Sequence, residues 1–280
     1  MSKKIAVIGG DMRQIYLVRS LKKYGYSVKC FGFDKTDVEC EKTLCDTVFG
    51  CETVILPLPA TTDGIYINMP LSDEKVTVEE TVRLSSDCGS VLGGRLDGIK
   101  GLFKAKTVDY IDREEVAVKN AIPTAEGAIQ IAMNELPITV FGMNCLVTGF
   151  GRVSRALCSR LKALGAKVTV AARKISDLAW IEEGGFVPLP FSRLSLSLSE
   201  FDCIFNTVPQ KVFNRPELLN ISPDAIIVDL ASKPGGVDLD EALLQNKKVI
   251  WALSLPGKVA AKTSGEIIAK TVIHILEEEL

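Results

Sequence analysis

The feature that most constrains the fold is a glycine-containing turn between an apolar segment and a helical one. Residues 144–148 are mostly apolar, which predicts a buried strand, and Gly149 to Ser154 follow directly. Gly149 permits a tight turn, and Gly151 lets backbone N–H groups approach a pyrophosphate at the start of the next helix. Ser154 stands where the third Gly or Ala of a dinucleotide fingerprint usually lies. We predict a dinucleotide site rather than a purely structural turn, with these residues at the cofactor: Gly149, Phe150, Gly151, Arg152 and Val153.

The same alternation of short apolar segments and helical segments recurs along the chain. Predicted strands lie at 4–8, 28–31, 53–56, 90–92, 144–148, 167–171, 202–206, 225–230 and 249–253, and predicted helices include 152–164 and 264–279. Near-continuous apolar strands alternating with helices are typical of parallel sheets that helices cover on both faces. We predict an α/β fold of two doubly wound parallel-sheet domains, the second a Rossmann dinucleotide-binding domain.

A helical join between the two strand-rich halves predicts the domain limits. Residues 1–122 are expected to form an N-terminal flavodoxin-like substrate domain, and 123–263 a Rossmann NADP-binding domain that begins with the linking helix. Residues 264–280 are expected to form a C-terminal helix that packs back on the first domain. Pro123 to Gly127 predicts a fresh helix start, because Pro favours the first turn and Glu126 suits the positive end of the helix dipole.

The residues that end the next strand favour NADP over NAD. An NAD site places Asp or Glu about 20 residues beyond the fingerprint, where it holds the ribose hydroxyls. This chain has Arg173 and Lys174 there, and a cation can pair with the 2′-phosphate of NADP. A solvated arginine at a strand end is the alternative. Thr207, Val208 and Pro209 follow a later strand, in a loop that usually lines the dinucleotide, and complete the predicted cofactor site.

Further loops at the carboxyl ends of predicted strands are candidates for the substrate site. Asn206–Pro209, Asp229–Gly236 and Leu253–Lys258 are expected to share one rim, and Gly9–Gln14 and Thr61-Thr62 lie at a corresponding rim of the first domain. Two rims that face each other make a cleft, which is a usual place for a small-molecule site. The predicted substrate-binding residues are Arg13, Thr61, Thr62, Arg95 and Glu126.

Lys258, Thr263 and Ser264 are the predicted catalytic residues. A lysine beside a predicted helix start offers positive potential to an anion near the nicotinamide. A merely solvated lysine is the alternative. His274, the single histidine, lies among apolar residues of the last helix and is not expected to be catalytic.

Composition narrows the classes of function and partner. The chain has 33 basic and 35 acidic residues, a net charge of −2, so we expect no nucleic-acid partner. No apolar stretch approaches the roughly 18 residues needed to cross a bilayer, and the opening Met-Ser-Lys-Lys lacks a cleavable signal, so we expect a cytoplasmic protein without a membrane partner. The eight cysteines include no C-x-x-C pair, and Cys40, Cys45 and Cys51 lack zinc-ligand spacing. Reduced thiols and no metal are therefore predicted.

Four segments together resemble the A-subunit family of dipicolinate synthase: Gly9–Gln14, Ile122–Ala128, Gly149–Arg152, and Leu255–Ala260 through Thr263. The likeness spans nearly the whole chain in the family's order. It implies a two-domain NADP-binding protein of spore-forming bacteria, which dehydrogenates a dihydrodipicolinate-type intermediate to dipicolinate beside the B-subunit of dipicolinate synthase. The resemblance does not assign the catalytic residues.

The chemistry implied by the resemblance agrees with the missing histidine. Oxidation of a dihydropyridine gains aromaticity, so hydride leaves without the alkoxide-forming proton loss that a 2-hydroxy acid requires, and positioning would carry most of the rate. Two alternatives stay open. One is a non-catalytic NADP-binding regulatory or scaffold subunit; the other is a shikimate- or amino-acid-dehydrogenase-like enzyme, whose acid–base lysine could only be Lys258 or Lys233. The oligomeric state, including a homo-oligomer, also stays open.

Overall fold

The computed structural model describes residues 3–278, and the chain divides into two compact units. One unit comprises Met1–Asn120 together with Ala260–Leu280, and the other comprises Ala121–Val259. The sequence predicted that the first domain ends at residue 122 and the second at residue 263. In the structure the corresponding boundaries lie a few residues earlier, after Asn120 and Val259. Each unit is built on a parallel sheet with helices packed against it. The predicted α/β class with two parallel-sheet domains is confirmed.

Within the described residues, the first unit has a five-stranded sheet and the second a six-stranded sheet, and every pairing inside them is parallel. The first sheet, in the order β2-β1-β3-β4-β5, comprises β1 Lys4–Ile8, β2 Ser27–Phe31, β3 Thr53–Ile55, β4 Ser90–Gly93 and β5 Lys106–Asp109. The second, in the order β11-β10-β9-β6-β7-β8, comprises β6 Asn144–Thr148, β7 Lys167–Ala172, β8 Val187–Pro190, β9 Cys203–Asn206, β10 Ile226–Asp229 and β11 Lys248–Trp251. The first order is that of flavodoxin-like sheets, and the second, counted within its unit, is the Rossmann order.

The helices connect the strands and cover both faces of each sheet. They are α1 Met12–Lys23, α2 Leu44–Val48, α3 Val78–Leu84, α4 Glu114–Glu135, α5 Arg152–Ala163, α6 Ile175–Glu183, α7 Leu194–Ser197, α8 Arg215–Leu219, α9 Leu239–Leu244, α10 Leu255–Val259 and α11 Ala261–Glu278. In the inner strand β1, Ile5 and Val7 pack with α1 and α11, whereas Ala6 and Ile8 point to the opposite core beside α2. Alternation along a buried strand thus gives each face its own apolar core.

Two strands, β5 and β8, were not predicted from the sequence, and both lie at sheet edges. β5 has only exposed or half-buried residues before its last position, so its apolar signal is weak. β8 reads Val-Pro-Leu-Pro, and proline disfavours a strand except at an edge, where its missing N–H faces no partner strand.

The predicted helix start at Pro123 is wrong. Helix α4 runs unbroken from Glu114 to Glu135 with Pro123 inside it. Proline within a helix costs about 3 kcal/mol, but Ala125, Ala128 and Ile129 on the following turns are buried in the core of the second unit and hold the helix together. Residues 124–127 therefore belong to a continuous helix and do not form a helix N-terminus that could receive an anion.

The last helix, α11, belongs to the first unit and packs closely on α1. A Cβ atom on Gly265 would overlap the Arg13 carbonyl oxygen and lie 2.7 Å from the Tyr16 Cβ. The apolar face of α11, including Ile268 and Val272, joins the same core as β1. The absent side chain at Gly265 is therefore what lets the two helix backbones approach.

We predict that Gly265→Ala destabilises the first unit. Alanine favours a helix over glycine by about 1 kcal/mol, but a methyl group that overlaps a backbone oxygen forces α11 away from α1, and such overpacking costs about 1–3 kcal/mol. The net loss of unfolding free energy is expected in urea denaturation followed by circular dichroism. Gly101→Ala is the control, because a Cβ there would meet no atom within 4 Å. Equal midpoints for the two variants would contradict the close approach.

Candidate functional site

The glycine turn of the second unit has the geometry of a strand-to-helix phosphate loop. β6 ends at Thr148, and Gly149 follows with φ of +88°, a conformation that favours glycine. A Cβ on Gly149 would lie 2.7 Å from the Thr207 Oγ1 atom, so the loop after β9 approaches closely. Ser154 is fully buried, and its Oγ donates to the Gly149 carbonyl oxygen at 2.7 Å. The serine in the third fingerprint position therefore braces the turn instead of leaving space.

The start of α5 is open to a ligand. Gly151 is the N-cap residue, with extended backbone and no capping side chain, and a Cβ on it would meet no atom within 4 Å. The first N–H groups of a helix lack intrahelical partners and favour anions. Arg155 steadies the loop from the outside: its guanidinium carbon lies 4.6 Å from the Phe150 ring centre, and its Nε donates to the Phe150 carbonyl at 3.2 Å. This arrangement fits the pyrophosphate of a dinucleotide.

Arg173 lies directly after β7, at the end of the strand next to the glycine turn. Its side chain is exposed, but two contacts orient it. The guanidinium carbon lies 5.3 Å from the Phe191 ring centre, and Nη1 donates to the Gln210 Oε1 atom at 2.9 Å. Lys174 follows as the exposed N-cap of α6. A braced arginine at this strand end is suited to a phosphate group, because its remaining N–H donors stay accessible.

A buried polar network joins the carboxyl ends of β6, β9 and β10. The Thr148 Oγ1 donates to the Asn206 Oδ1 at 2.6 Å, and the Asn206 Nδ2 donates to the Asp229 Oδ1 at 2.7 Å. The same amide bonds the backbone of Val208, through its N–H at 3.2 Å and its carbonyl at 3.0 Å. The predicted cofactor loop from Thr207 to Pro209 is thus attached to the polar interior of the sheet edge.

Asp229 extends the network into the loop after β10. Its Oδ1 accepts from the Ala231 N–H at 3.1 Å, and its Oδ2 accepts from the Gly236 N–H at 2.7 Å. The Trp251 Nε1 donates to the Ala231 carbonyl at 3.0 Å, which attaches β11 to the same loop. The loops after β6, β9 and β10 are therefore held along one edge, as expected for a ligand site in an open parallel sheet.

In the first unit, Arg13 is buried in an ion pair. Its guanidinium makes a two-pronged contact with Asp11, the N-cap of α1, at 2.8 to 3.1 Å, and Nη2 also donates to the Leu58 carbonyl. The Arg13 residue is 7% exposed. Asp11 offsets its charge, so the structure places Arg13 as a support of the loop after β3.

Arg95 and the two predicted threonines are better exposed at this edge. The loops after β3 and β4 are joined by two backbone hydrogen bonds, Gly94 N–H to the Pro57 carbonyl at 3.1 Å and Ala60 N–H to the Gly94 carbonyl at 2.9 Å. Arg95 follows with φ of +56°, a strained conformation for arginine, and its side chain is exposed. Thr61 lies in a turn in which its Oγ1 contacts the Asp63 carboxylate, and Thr62 is exposed.

The predicted catalytic residues belong to different units of the chain. Lys258 is exposed in the short helix α10 of the second unit, and Thr263 is exposed in the first turn of α11 in the first unit. α11 begins at Ala261, before the start expected from the sequence. Ser264 is fully buried, and its N–H donates to the Ala260 carbonyl at 3.0 Å.

Glu126 lies on the exposed face of α4, where its Oε1 pairs with the Arg160 Nε at 3.2 Å. It borders a groove of about 420 Å³ between α4 and α5 whose lining is mostly apolar. The carboxylate thus faces a cation of its own unit.

Burial lowers the reactivity of two of the thiols, Cys145 and Cys158. Burial raises the pKa of the Cys145 and Cys158 thiols to about 12, so both are protonated at neutral pH. Across residues 3–278, no three His, Cys, Asp or Glu side chains are grouped so that they could hold a metal ion. His274 is exposed on α11. None of the described helices is both long and apolar enough to cross a membrane.

Comparison with known proteins places the chain in a family. A family model for the N-terminal domain of the dipicolinate synthase A-subunit matches residues 4–112. The chain is 34% identical to the A-subunit of dipicolinate synthase from Bacillus subtilis (strain 168) over 287 residues, which cover 98% of this chain and 96% of that protein. The chain belongs to the dipicolinate synthase A-subunit family.

Crystal structures of that family have the same fold over their whole length. The dipicolinate synthase A-subunit from Bacillus halodurans matches with a TM-score of 0.89 and 31% identity, covering 99% of this chain and 98% of that one. The A chain of the Bacillus subtilis enzyme matches with a TM-score of 0.88 and 34% identity, covering 99% and 97%. At 13% identity and a TM-score of 0.68, an L-alanine dehydrogenase shares the fold, covering 99% and 90%.

The polar network is the part of the site that sequence reasoning missed. Asn206 and Asp229 were singled out only as members of loops after two strands. Each is the last residue of a buried strand, and a polar side chain at that position in an otherwise apolar strand is the signal that could have paired them.

Proposed function

We propose that this member of the dipicolinate synthase A-subunit family oxidises a dihydrodipicolinate-type ring to dipicolinate with NADP, in the cytoplasm of a spore-forming cell and beside the B-subunit of dipicolinate synthase. The observation that carries the proposal is the open, uncapped start of α5 after the Gly149 turn, within a sheet of Rossmann order. The family relationship supports the substrate and the partner, because the relative is named as one subunit of dipicolinate synthase.

The choice of NADP rests on Arg173. The residues Gly149, Phe150, Gly151, Arg152 and Val153 would hold the pyrophosphate, and Arg173 with Lys174 would face the 2′-phosphate. Arg173 is already oriented by Phe191 and Gln210, so little side-chain freedom is lost when a phosphate binds. Thr207, Val208 and Pro209 would line the dinucleotide from the loop after β9.

The proposed reaction needs little acid–base help from the chain. NADP, when bound, would supply the hydride acceptor; the ring would lose a hydride to it and one proton to solvent, and would become the aromatic pyridine. The product gains aromatic stabilisation, so the chain's task is to orient the ring and exclude water. Lys258 and Thr263 are the solvent-accessible members of the proposed catalytic set, whereas burial of Ser264 leaves it a supporting role.

The proposed substrate site uses the loops at the carboxyl edge of the first sheet. A ring with two carboxylates requires cationic or N–H-rich anchors. Arg95 is an exposed cation there, Thr61 and Thr62 offer hydroxyl groups, and Arg13 supports the loop through Asp11 and Leu58. The left-handed backbone of Arg95 is a strain that binding of an anion would explain.

We predict that Arg173→Ala weakens NADP binding by about 1–3 kcal/mol, the range for a charge-assisted contact, and leaves NAD binding nearly unchanged. Titration calorimetry of both cofactors measures the two effects. Arg215→Ala, which removes another exposed arginine of the same unit, is the matched control and should change neither affinity. If the unmodified protein binds NADP and NAD equally, the assignment of Arg173 is wrong.

We predict that Arg95→Gly lowers dipicolinate affinity by about 1.5–3 kcal/mol without lowering the unfolding midpoint. Glycine adopts the positive φ of +56° without strain, so relief of the backbone offsets its greater freedom in the unfolded chain. The unmodified protein should bind dipicolinate more tightly than picolinate, which has one carboxylate, and the variant should lose that preference.

The matched control is Asn246→Gly, because Asn246 is another non-glycine residue with positive φ, at 52°, and lies in the second unit. It should leave dipicolinate binding intact. An Arg95→Gly protein that still prefers dipicolinate would place the carboxylate anchor elsewhere.

The experiment that tests the whole proposal is NADPH formation from dihydrodipicolinate and NADP by the purified chain alone. We expect turnover, and we expect Gly151→Val to abolish it while keeping the folded circular dichroism spectrum, because a side chain there enters open space and not the core. NADPH formation that requires the B-subunit would favour a regulatory or scaffold role for this chain. No turnover with or without the B-subunit would contradict the proposal.

A further inference from the structure

We infer that Asn206 is a positioning residue that holds three loops of the proposed dinucleotide site in register. The inference rests on the proposed binding of a nicotinamide dinucleotide by the second unit. Its basis is one side-chain amide that contacts β6, β10 and its own loop after β9.

The orientation of the Asn206 amide follows from its partners. The backbone N–H of Val208 can only donate, so the atom facing it at 3.2 Å is the oxygen Oδ1. The Val208 carbonyl and the Asp229 carboxylate only accept, so the atom facing them at 3.0 and 2.7 Å is the nitrogen Nδ2. The Thr148 hydroxyl must then donate to Oδ1. Both ends of the amide are therefore assigned by groups whose roles are unambiguous.

Each partner of Asn206 is next to a segment that would contact the dinucleotide. Thr148 precedes the Gly149 turn, and its carbonyl also accepts from the Thr207 Oγ1 at 2.7 Å. Val208 belongs to the proposed cofactor loop. Asp229 binds the N–H groups of Ala231 and Gly236 and so shapes the loop after β10. A shift of the amide would move all three loops together.

The packing leaves little room for adjustment. A Cβ on Gly236 would overlap the Asn206 Nδ2, and a Cβ on Gly149 would lie 2.7 Å from the Thr207 Oγ1. Thr148 and Asn206 are fully buried and Asp229 is 1% exposed, so water does not compete for these hydrogen bonds. Low exposure strengthens a satisfied network and makes a broken one costly.

The decisive variant is Asn206→Asp, which replaces Nδ2 by an oxygen 2.7 Å from the Asp229 carboxylate. Among the hydrogen-bond partners of Asn206, Asp229 is the titratable one. Charged residues nearby on the chain include Asp202, which accepts from the Asn144 N–H, Lys211, which donates to the Val237 carbonyl, and the exposed Lys233. Two carboxylates at this distance share one proton, and loss of that proton drives them apart. Between about pH 5.5 and about pH 8.5 the variant should therefore lose dinucleotide affinity as pH rises.

The measurement is titration calorimetry with NADP and, separately, NAD. At each pH the Kd of the variant is divided by that of the unmodified protein, which cancels titration of the 2′-phosphate itself. We expect this ratio to rise by about tenfold across the range, because loss of the shared proton replaces a hydrogen bond by repulsion. Asn220→Asp is the matched control: its side chain is exposed and, among residues 3–278, bonds the Pro216 carbonyl of its own helix, so its ratio should stay near one.

A second pair of variants keeps the inference testable if Asn206→Asp does not fold. Thr148→Val removes the hydroxyl that donates to Asn206 at nearly constant volume, and Thr148→Ser retains it. We expect Thr148→Val to weaken binding of both dinucleotides several-fold at every pH, and Thr148→Ser to restore it. Equal affinity for these two variants would overturn the inference.

The outcomes separate the inference from the proposed function. An unmodified protein that binds neither NADP nor NAD contradicts the proposed cofactor, and the inference with it. If the unmodified protein binds but the Kd ratio of folded Asn206→Asp stays flat with pH, only the inference is overturned. A lower unfolding midpoint together with that flat ratio would mean that Asn206 serves stability alone.

Discussion

A parallel sheet brings the carboxyl ends of all its strands to one edge, and the candidate sites of both units depend on this constraint. In the second unit it brings together Thr148 and Asn206, which are 58 positions apart, and Asn206 and Asp229, which are 23 apart. In the first unit it lets Arg13 reach the Leu58 carbonyl, 45 positions away. The interiors of β6, β9 and β10 are apolar, and their polar side chains meet where these strands end.

In each polar cluster at these edges, the carboxylate is hydrogen-bonded by groups of the same unit. Asp229 accepts from one side-chain amide and two backbone N–H groups, and Asp11 accepts both prongs of Arg13. A buried charge without such partners would cost several kcal/mol, so these groups stabilise loops only as complete sets. The contacts of Asp229 and of the Asp11–Arg13 pair fix the geometry of the loops. They do not involve the exposed side chains of Arg173 and Arg95.

Much of the architecture could be predicted from sequence because apolar strands and glycine turns are local signals. The segments 144–148 and 167–171 needed no knowledge of their neighbours, and β6 and β7 lie there. Pro123 misled for the opposite reason: proline favours a helix start locally, but buried contacts of the next two turns hold α4 continuous. β8 was hidden because its prolines are tolerated only at a sheet edge, which depends on the tertiary arrangement.

For the candidate site too, the residues that could be predicted from the sequence were those with a local signal. The fingerprint from Gly149 to Val153 is contiguous and was recognised, whereas the Thr148–Asn206–Asp229 network joins three separate strands and was not. Burial of Ser264 and the ion pair of Arg13 also depend on packing against other elements. A residue type at a strand end therefore indicates a candidate, and only its partners indicate whether it faces a ligand or supports a loop.

The distribution of charge at the two edges argues for binding of anions in both units. At the second edge the carboxylate of Asp229 is directed inward to three N–H donors, while Arg173 is exposed beside the start of α5. At the first edge the guanidinium of Arg13 is directed inward to Asp11, while Arg95 is exposed. In each unit the charge that supports the loops is compensated internally, and an exposed cation lies at the same edge. A dinucleotide phosphate and a ring dicarboxylate are both anions, so this arrangement is consistent with both parts of the proposed reaction.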